Sequence, residues 1–162
     1  MTAGQVQKSM DKQEMADILN RRFPFSGCKV ALLLGNQILI SLRDDFPTIP
    51  HPNMWDLPGG GREGEETPFE CLKREVMEEL SLELKPEAIS WAKIYPSMLH
   101  PEELSVFTVA SISQEQFDQI VFGDEGQDYK LTPVGDFLTD EQVITQLRGR
   151  VKDYMEEISG KG

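Results

Sequence analysis

The stretch GGREGEETPFECLKREVMEELSL, residues 60–82, joins a glycine-rich turn to a strongly predicted helix. Thr67 is a favourable N-cap residue, Pro68 takes the first helical position, and Glu70 follows the cap in the same turn. This is the pattern of a capping box, in which side chains and backbone groups of the first turn satisfy each other. The sequence therefore predicts a helix that begins after Thr67 and runs to about Leu80.

One side of this predicted helix collects carboxylates. Four apolar residues form one stripe, whereas Glu75, Glu78 and Glu79 gather elsewhere on the helix surface. Two carboxylates about 5 Å apart repel by roughly 3 kcal/mol at an effective dielectric constant of about 20. A divalent cation would convert this repulsion into binding, and magnesium is commonly held by a few carboxylates. A solvated acidic face balanced by Lys73 and Arg74 is the alternative interpretation.

Three glycines precede the acidic helix. Gly59, Gly60 and Gly61 let backbone amides and carbonyls approach a ligand more closely than residues with side chains allow. A glycine-rich turn alone more often marks a tight turn than a site. Beside the carboxylates, however, it indicates a cradle in which a metal ion bridges the protein and the phosphates of a polyanion.

The rest of the sequence predicts a mixed sheet covered on both faces. Two apolar runs flank Gly35-Asn36, which is a two-residue hairpin signal, and residues 104–111 are typical of a buried strand. The proline-rich residues 44–53 predict a surface loop. From Asp140 onward, an amphipathic C-terminal helix is predicted. Its apolar face would contain Val143, Ile144, Leu147, Val151, Tyr154, Met155 and Ile158.

Length and composition predict one globular domain. With 162 residues, the chain divides into a tail at 1–10, a domain at 11–158 and a tail at 159–162. The net charge of −12 argues against affinity for long nucleic acid or an anionic membrane. The beginning of the chain lacks a signal-peptide pattern, and Cys28 and Cys71 are most simply two buried thiols, so a cytoplasmic protein is predicted.

The 23 residues from Gly60 to Leu82 resemble the signature of the Nudix hydrolases, G-x5-E-x7-R-E-U-x-E-E-x-G-U with U aliphatic. The single departure is Ser81, which stands where the signature has glycine and costs about 1 kcal/mol in a left-handed helix cap. The resemblance extends from about residue 26 to 155. It implies an α/β/α sandwich with a mixed β-sheet. It also implies hydrolysis of a nucleoside diphosphate linked to another group, with Mg²⁺ as cofactor and Mn²⁺ as a possible substitute.

The same resemblance assigns roles by position. The implied metal ligands are the carbonyl of Gly60 and the carboxylates of Glu75, Glu78 and Glu79. Arg74 and Glu66 resemble the pair that braces the loop against the helix, and Arg74 is counted with the catalytic residues.

Further residues resemble substrate or metal contacts of the family. Glu125 lies where mutator-type members, which hydrolyse oxidised nucleotides such as 8-oxo-dGTP, supply a metal ligand or general base; an exposed turn acid is the alternative. Arg43 resembles a phosphate contact, with an ordinary surface arginine as the alternative. Asp140 lies near a purine contact of the family, but a helix N-cap is the preferred interpretation of this residue. Leu57 and Gly59, beside the glycine turn, are also predicted to contact substrate.

Aromatic residues are further candidates for the same site. Phe46, Trp55 and Tyr129 are candidates for stacking on a nucleobase, with Trp55 partly in the core. His51 and His100 are both flanked by prolines and predicted to lie in loops, so neither is a strong candidate for a general base.

The implied reaction is a pyrophosphohydrolysis by metal-activated water, with Glu78 or Glu125 taking the proton. A nucleoside triphosphate, possibly oxidised, would yield a nucleoside monophosphate and pyrophosphate. Several alternatives remain open: a dinucleoside polyphosphate, a nucleotide sugar, an RNA end, or a non-catalytic nucleotide-binding sensor. The partner would be a small nucleotide, and a homodimer is possible.

Overall fold

The computed structural model describes residues 10–160. Residues 1–9 and 161–162, predicted as parts of the two tails, lie outside the described residues. The helices are α1 (Lys12–Leu19), α2 (Pro68–Leu80), α3 (Gln114–Asp118), α4 (Val134–Thr139) and α5 (Thr145–Ile158). The strands are β1 (Gly27–Leu34), β2 (Gln37–Leu42), β3 (Trp55–Asp56), β4 (Gly59–Gly61), β5 (Ile89–Pro96), β6 (Leu104–Ser111) and β7 (Asp128–Pro133).

These strands form one mixed sheet. Its main path is β3-β2-β1-β6-β5, with β7 paired to β2 and β4 paired to β1. The β1–β6 pair is parallel, and the other pairs are antiparallel. The hairpin predicted at Gly35-Asn36 and the strand predicted at residues 104–111 are both confirmed.

The glycine turn reaches the sheet because β1 and β2 diverge beyond their hairpin. They pair directly only beside the turn, at Leu33–Ile38 and Leu34–Gln37. Further along, β3 pairs with β2 and β4 pairs with β1, so the segment between residues 55 and 61 fills the space between the diverging strands. The three glycines are therefore held by backbone pairing, not left as a free loop.

Helices cover both faces of the sheet, which confirms the predicted α/β/α sandwich. Alternating residues of the central strands enter different cores. One core packs the sheet against α1 and α2, around Val30, Leu32, Leu72 and Val76. The other packs it against α4 and α5, around Ile38, Ile40, Phe107, Phe137 and Leu147.

The helix predicted from residues 67–80 is also confirmed. Thr67 Oγ1 accepts from the Glu70 N–H, and Glu70 Oε1 accepts from the Thr67 N–H, completing the capping box. Ser81 takes the left-handed conformation expected of glycine, with φ of 53°, and its N–H bonds to Met77. The substitution in the signature thus leaves the helix end in place.

The predicted start of the C-terminal helix was wrong. The helix begins at Thr145, whereas Val143 forms a parallel bridge with Trp55 in extended backbone. The Trp55 N–H bonds to Gln142 and its carbonyl accepts from Ile144, so these residues extend the sheet edge instead of starting the helix. Asp140, expected as a possible helix N-cap, ends α4 and accepts from the Gln142 N–H.

Other differences concern short elements and the N-terminal boundary. The sequence did not predict α3, β7 or α4. Met10, assigned to the tail, packs against the core on the side of the sheet that α4 and α5 cover, and its Sδ lies 3.3 Å from the Ala92 nitrogen. Within residues 10–160, none of the helices has the length and apolar character needed to cross a bilayer.

Candidate active site

A cavity of about 790 Å³ opens beside the acidic side of α2 and the glycines of β4, and is called the acidic cleft here. Its acidic lining residues are Asp44, Asp56, Glu75, Glu78, Glu79, Asp124 and Glu125, and its cations are Lys29 and Arg43. Phe46, Ile49 and Phe122 add apolar surface. The cleft therefore brings the predicted metal ligands together with two cations and an apolar wall.

The glycine turn and α2 contact each other directly in the cleft. Gly59 has φ of 138°, and a Cβ there would overlap the backbone of Cys28. Its N–H donates to Glu79 Oε2 at 2.9 Å. The Glu75 carboxylate occupies the space that a Cβ on Gly60 would need. Both glycines thus permit the close approach that a side chain would prevent.

Glu79 is a carboxylate of the cleft whose pKa is raised by its surroundings. Burial raises its pKa from the ordinary 4.5 to about 7, and the negative charge of Glu75 acts in the same direction. The Gly59 N–H and the Lys29 charge oppose this increase. Burial therefore disfavours the charged form of this carboxylate when no cation is bound beside it.

Arg74 braces the acidic loop against the helix, as the resemblance implies. Its Nε and Nη2 donate hydrogen bonds to the two carboxylate oxygens of Glu66, and the N···O distances are 2.8 and 3.0 Å. Arg74 and Glu66 therefore form a bidentate pair. The guanidinium also donates to the Gly61 carbonyl at 2.8 Å and to Glu75 Oε1 at 2.8 Å. The hydrogen bond from Arg74 lowers the pKa of Glu66. Arg74 consequently positions the glycine turn and one carboxylate of the cleft together.

Asp56 organises the two cations, and neither Asp56 nor Lys29 was predicted as a site residue. Its buried carboxylate contacts Lys29 Nζ at 3.1 Å and Arg43 Nη1 at 3.0 Å. Burial acts to raise the pKa of Asp56, but Lys29, the Leu57 N–H and Arg43 together bring it below its ordinary value. No local motif links residues so far apart in sequence. The pairing of β3 with β2 brings Asp56 close to Arg43, and the pairing of β4 with β1 brings it close to Lys29.

Glu125 lies in an exposed turn on the cleft. The turn is tied to neighbouring elements, because Gly123 N–H bonds to Glu79 carbonyl and Gly126 N–H contacts Asp44 Oδ2. The cleft therefore has Glu125 and the α2 carboxylates among its lining residues. Its role as ligand or base stays a prediction.

The other predicted substrate contacts are distributed differently. Arg43 and Gly59 line the cleft. Leu57 is buried in the core, with its carbonyl accepting from Lys29 at 3.1 Å. Asp140 lines neither this cleft nor the second cavity described below. These positions leave Arg43 and Gly59 as the stronger substrate candidates.

The aromatic candidates also separate. Phe46 is 56% exposed and lines the cleft, so it is available for stacking. Trp55 is buried, with Lys130 over its ring, and Tyr129 stacks on Phe122. Of these three aromatic residues, Phe46 is therefore the one with an exposed ring in the cleft.

The donor chemistry of the cleft fits a hard divalent cation. Within the described part of the chain, no three acidic, histidine or cysteine side chains already converge as a set of metal ligands. Glu75 is turned toward Arg74, while Glu79 accepts from Gly59. Nevertheless, carboxylate oxygens and a backbone carbonyl are the ligands such ions prefer, and the cleft brings Glu75, Glu78 and Glu79 together with Gly60.

The sheet between two layers of helices and the cleft beside the glycine turn match a known protein family. The NUDIX domain profile matches residues 29–152, so the chain belongs to the NUDIX family. The chain spans only about a quarter of the length of a curated relative that it matches.

Individual relatives differ in what their names describe. The m7GpppN-mRNA hydrolase NUDT17 of Danio rerio is 35% identical over 79 residues, covering 45% of this chain and 26% of that protein. The MutT protein of Methanosarcina mazei Go1 has 18% identity and a TM-score of 0.65, with 83% and 95% of the two chains covered. A C. elegans Ap4A hydrolase has 15% identity and a TM-score of 0.63, with 83% and 98% covered. The two structures establish similarity of fold alone.

Proposed function

We propose that this chain is a Mg²⁺-dependent pyrophosphohydrolase that converts a nucleoside triphosphate, oxidised or not, to a nucleoside monophosphate and pyrophosphate. Mn²⁺ is the expected substitute metal. The proposal depends mainly on one arrangement: Glu75, Glu78 and Glu79 share a cleft with Lys29 and Arg43. Such a cleft suits a polyphosphate only when a cation separates its charge from the carboxylates.

The residues that would hold the metal are Glu75, Glu78, Glu79 and the Gly60 carbonyl, with Glu125 as a further candidate. When bound, the ion supplies charge neutralisation for the phosphates and lowers the pKa of water. A cytoplasmic location, where nucleotides and magnesium are abundant, is consistent with this proposal.

The chain's own residues supply the remaining functions. Lys29 and Arg43, oriented by Asp56, would bind phosphate oxygens on the cationic wall. Arg74 would hold the glycine turn and the Glu75 carboxylate in fixed positions, because it donates hydrogen bonds to both. Glu78 or Glu125 would accept a proton from the attacking water, since both line the cleft.

A substrate panel with product identification tests this proposal. The purified chain is incubated with Mg²⁺ and nucleoside triphosphates, dinucleoside polyphosphates, nucleotide sugars and a cap dinucleotide. We expect monophosphate and pyrophosphate from a triphosphate in equal amounts. Release of inorganic phosphate instead would contradict the proposed bond cleavage, and nucleotide binding without turnover would favour the sensor.

The same panel tests whether oxidised nucleotides are preferred. The resemblance around Glu125 suggests mutator-type substrates, so kcat/KM for 8-oxo-dGTP is compared with that for dGTP. If kcat/KM is about equal for 8-oxo-dGTP and dGTP, the chain does not select oxidised nucleotides. The proposal that it is a hydrolase would be unaffected.

A dinucleoside polyphosphate is the second candidate. The cleft volume of about 790 Å³ and its exposed Phe46 would accommodate more than a single nucleotide. The names of two relatives, a cap hydrolase and an Ap4A hydrolase, describe substrates of this type. Higher kcat/KM for these compounds than for triphosphates would favour this candidate. The net charge of −12 disfavours a long RNA attached to such a cap.

A further inference from the structure

A second cavity, of about 290 Å³, adjoins the acidic cleft and is called the basic pocket here. The two cavities share Lys29, Arg43, Asp56, Gly60 and Gly61 as lining residues. A ligand held at these shared residues can therefore extend into either space. The volume of the basic pocket is at the low end of ligand sites, which suits a small group instead of a second nucleotide.

The basic pocket has the opposite charge character to the cleft. Its permanently cationic lining residues are Lys29, Arg43 and Arg150, whereas Asp56 is its single carboxylate. The cleft has the same Lys29 and Arg43 but seven acidic side chains. In a chain of net charge −12, a local excess of cations is a specific feature of this pocket.

Arg150 is a buried cation whose charge has no acidic partner among the residues that the structure describes. It is 5% exposed, and it donates to the Pro96 carbonyl at 2.8 Å. Its guanidinium also lies 4.7 Å from the centre of the Tyr95 ring. Within residues 10–160, no carboxylate comes within ion-pair distance of it. Buried charges are ordinarily paired, so this guanidinium has capacity for an anion.

Ser105 provides a second, independent indication of a ligand. It lies on β6, lines the basic pocket and is 8% exposed. Its Oγ is buried and has no hydrogen-bond partner among the described residues. A buried hydroxyl without a partner is unfavourable, and an oxyanion would accept its hydrogen bond.

We propose that the basic pocket binds an oxyanion group through Arg150 and Ser105, and that this group is the pyrophosphate portion of the substrate. The inference rests on the proposed function and narrows it. The nucleoside and the cleaved bond would lie in the acidic cleft, while the distal phosphates pass Lys29 and Arg43 into the pocket. Substrates with a terminal phosphate would therefore be preferred to nucleotide sugars.

Binding of inorganic pyrophosphate in EDTA tests the pocket separately from turnover. Calorimetry compares the wild type with Arg150→Gln and Ser105→Ala. We expect Arg150→Gln to weaken pyrophosphate binding at least tenfold. Ser105→Ala should weaken it while leaving Tm unchanged or raised, because it removes an unpartnered hydroxyl. If Ser105 had only a structural role, Ser105→Ala would not weaken pyrophosphate binding while Tm stayed unchanged or rose.

The matched control is Lys152→Gln, which removes one positive charge from an exposed position of the same helix. Equal pyrophosphate affinity in the Arg150→Gln and Lys152→Gln variants would overturn the proposal, as would absence of binding to the wild type. Binding of guanosine that depends on Arg150, without such binding of pyrophosphate, would assign the pocket to a base and also overturn it.

Turnover provides the second measurement. In Arg150→Gln, kcat/KM for a triphosphate should decrease at least tenfold more than for a nucleotide sugar. Equal decreases would contradict selection of the distal phosphates. Pyrophosphate binding in EDTA together with no hydrolysis of any nucleotide would instead uphold the pocket and reject the proposed function.

Discussion

Individual carboxylates of the cleft have different surroundings, and these differences determine their chemistry. Glu78 is mostly exposed, Glu75 is paired with Arg74, and Glu79 is half-buried and accepts a hydrogen bond from the Gly59 N–H. The signature predicted that all three belong to one site, but it could not distinguish them, because burial depends on the neighbouring β4 and on the segment that follows α3.

Glu79 should make the stability of the metal-free protein depend on pH. Its pKa in the folded protein, about 7, lies above the ordinary 4.5. The contribution of this carboxyl group to the free energy of unfolding is therefore fully present below about pH 4.5, and it is lost as the pH rises through about 7. We expect Glu79→Gln to remove this loss. The test compares unfolding free energies of both proteins in EDTA between pH 5 and 8. Parallel pH curves would contradict the assigned pKa.

Asp56 should be important for stability as well as for positioning cations. Asp56→Asn leaves Lys29 and Arg43 partly buried without their shared carboxylate, which should lower the free energy of unfolding by about 3 kcal/mol. Urea denaturation measures this loss. The control is Asp124→Asn, at an exposed cleft residue. Similar small effects in both variants would show that the buried cluster contributes little.

Among the helices and strands, the sequence predicted the elements whose signals are local. The capping box of Thr67 and Glu70 specifies the start of α2 within one turn, and Gly35-Asn36 specifies a hairpin. Val143 and Ile144 fit a helical pattern equally well, but pairing with Trp55 holds them extended. Their state is decided by a contact with a strand far away in sequence, which periodicity does not contain.

The end of α2 allows a test at a single backbone position. Ser81 has φ of 53°, a conformation that glycine adopts without the steric cost of a side chain. Ser81→Gly should therefore stabilise the protein by about 1 kcal/mol without changing kcat, because the side chain lies outside the cleft. Thermal and urea unfolding would measure it. A loss of stability would mean that the hydroxyl contributes more than the strain costs.

Across the whole molecule, the fold separates charge into an acidic cleft and a basic pocket that meet at Gly60 and Gly61. The net charge alone indicates neither region. Arg150 illustrates the reason: on a C-terminal amphipathic helix its position suggests a solvent-exposed residue, yet packing against Tyr95 and Pro96 buries it. The signature predicted the acidic side, whereas the basic side requires the folded arrangement.

Relief of repulsion in the cleft should be measurable as global stabilisation by Mg²⁺. A ligand that binds only the folded state at 100 times its Kd adds about 2.7 kcal/mol. We expect Mg²⁺ to raise Tm in the wild type and to have a much smaller effect in a Glu75→Gln, Glu79→Gln double variant. Sodium chloride at equal ionic strength is the control. An equal rise with sodium would indicate screening of the overall charge instead of a site.

The most direct test of the central claim is the rate of pyrophosphate release from the best panel substrate at saturating Mg²⁺, in the wild type and in Glu78→Gln. Glu83→Gln, an exposed acid just beyond α2, is the matched control. We predict that Glu78→Gln lowers kcat at least a hundredfold, whereas Glu83→Gln leaves kcat unchanged. All three proteins should remain folded. Wild-type turnover by Glu78→Gln would contradict the assignment of the acidic cleft as the catalytic site.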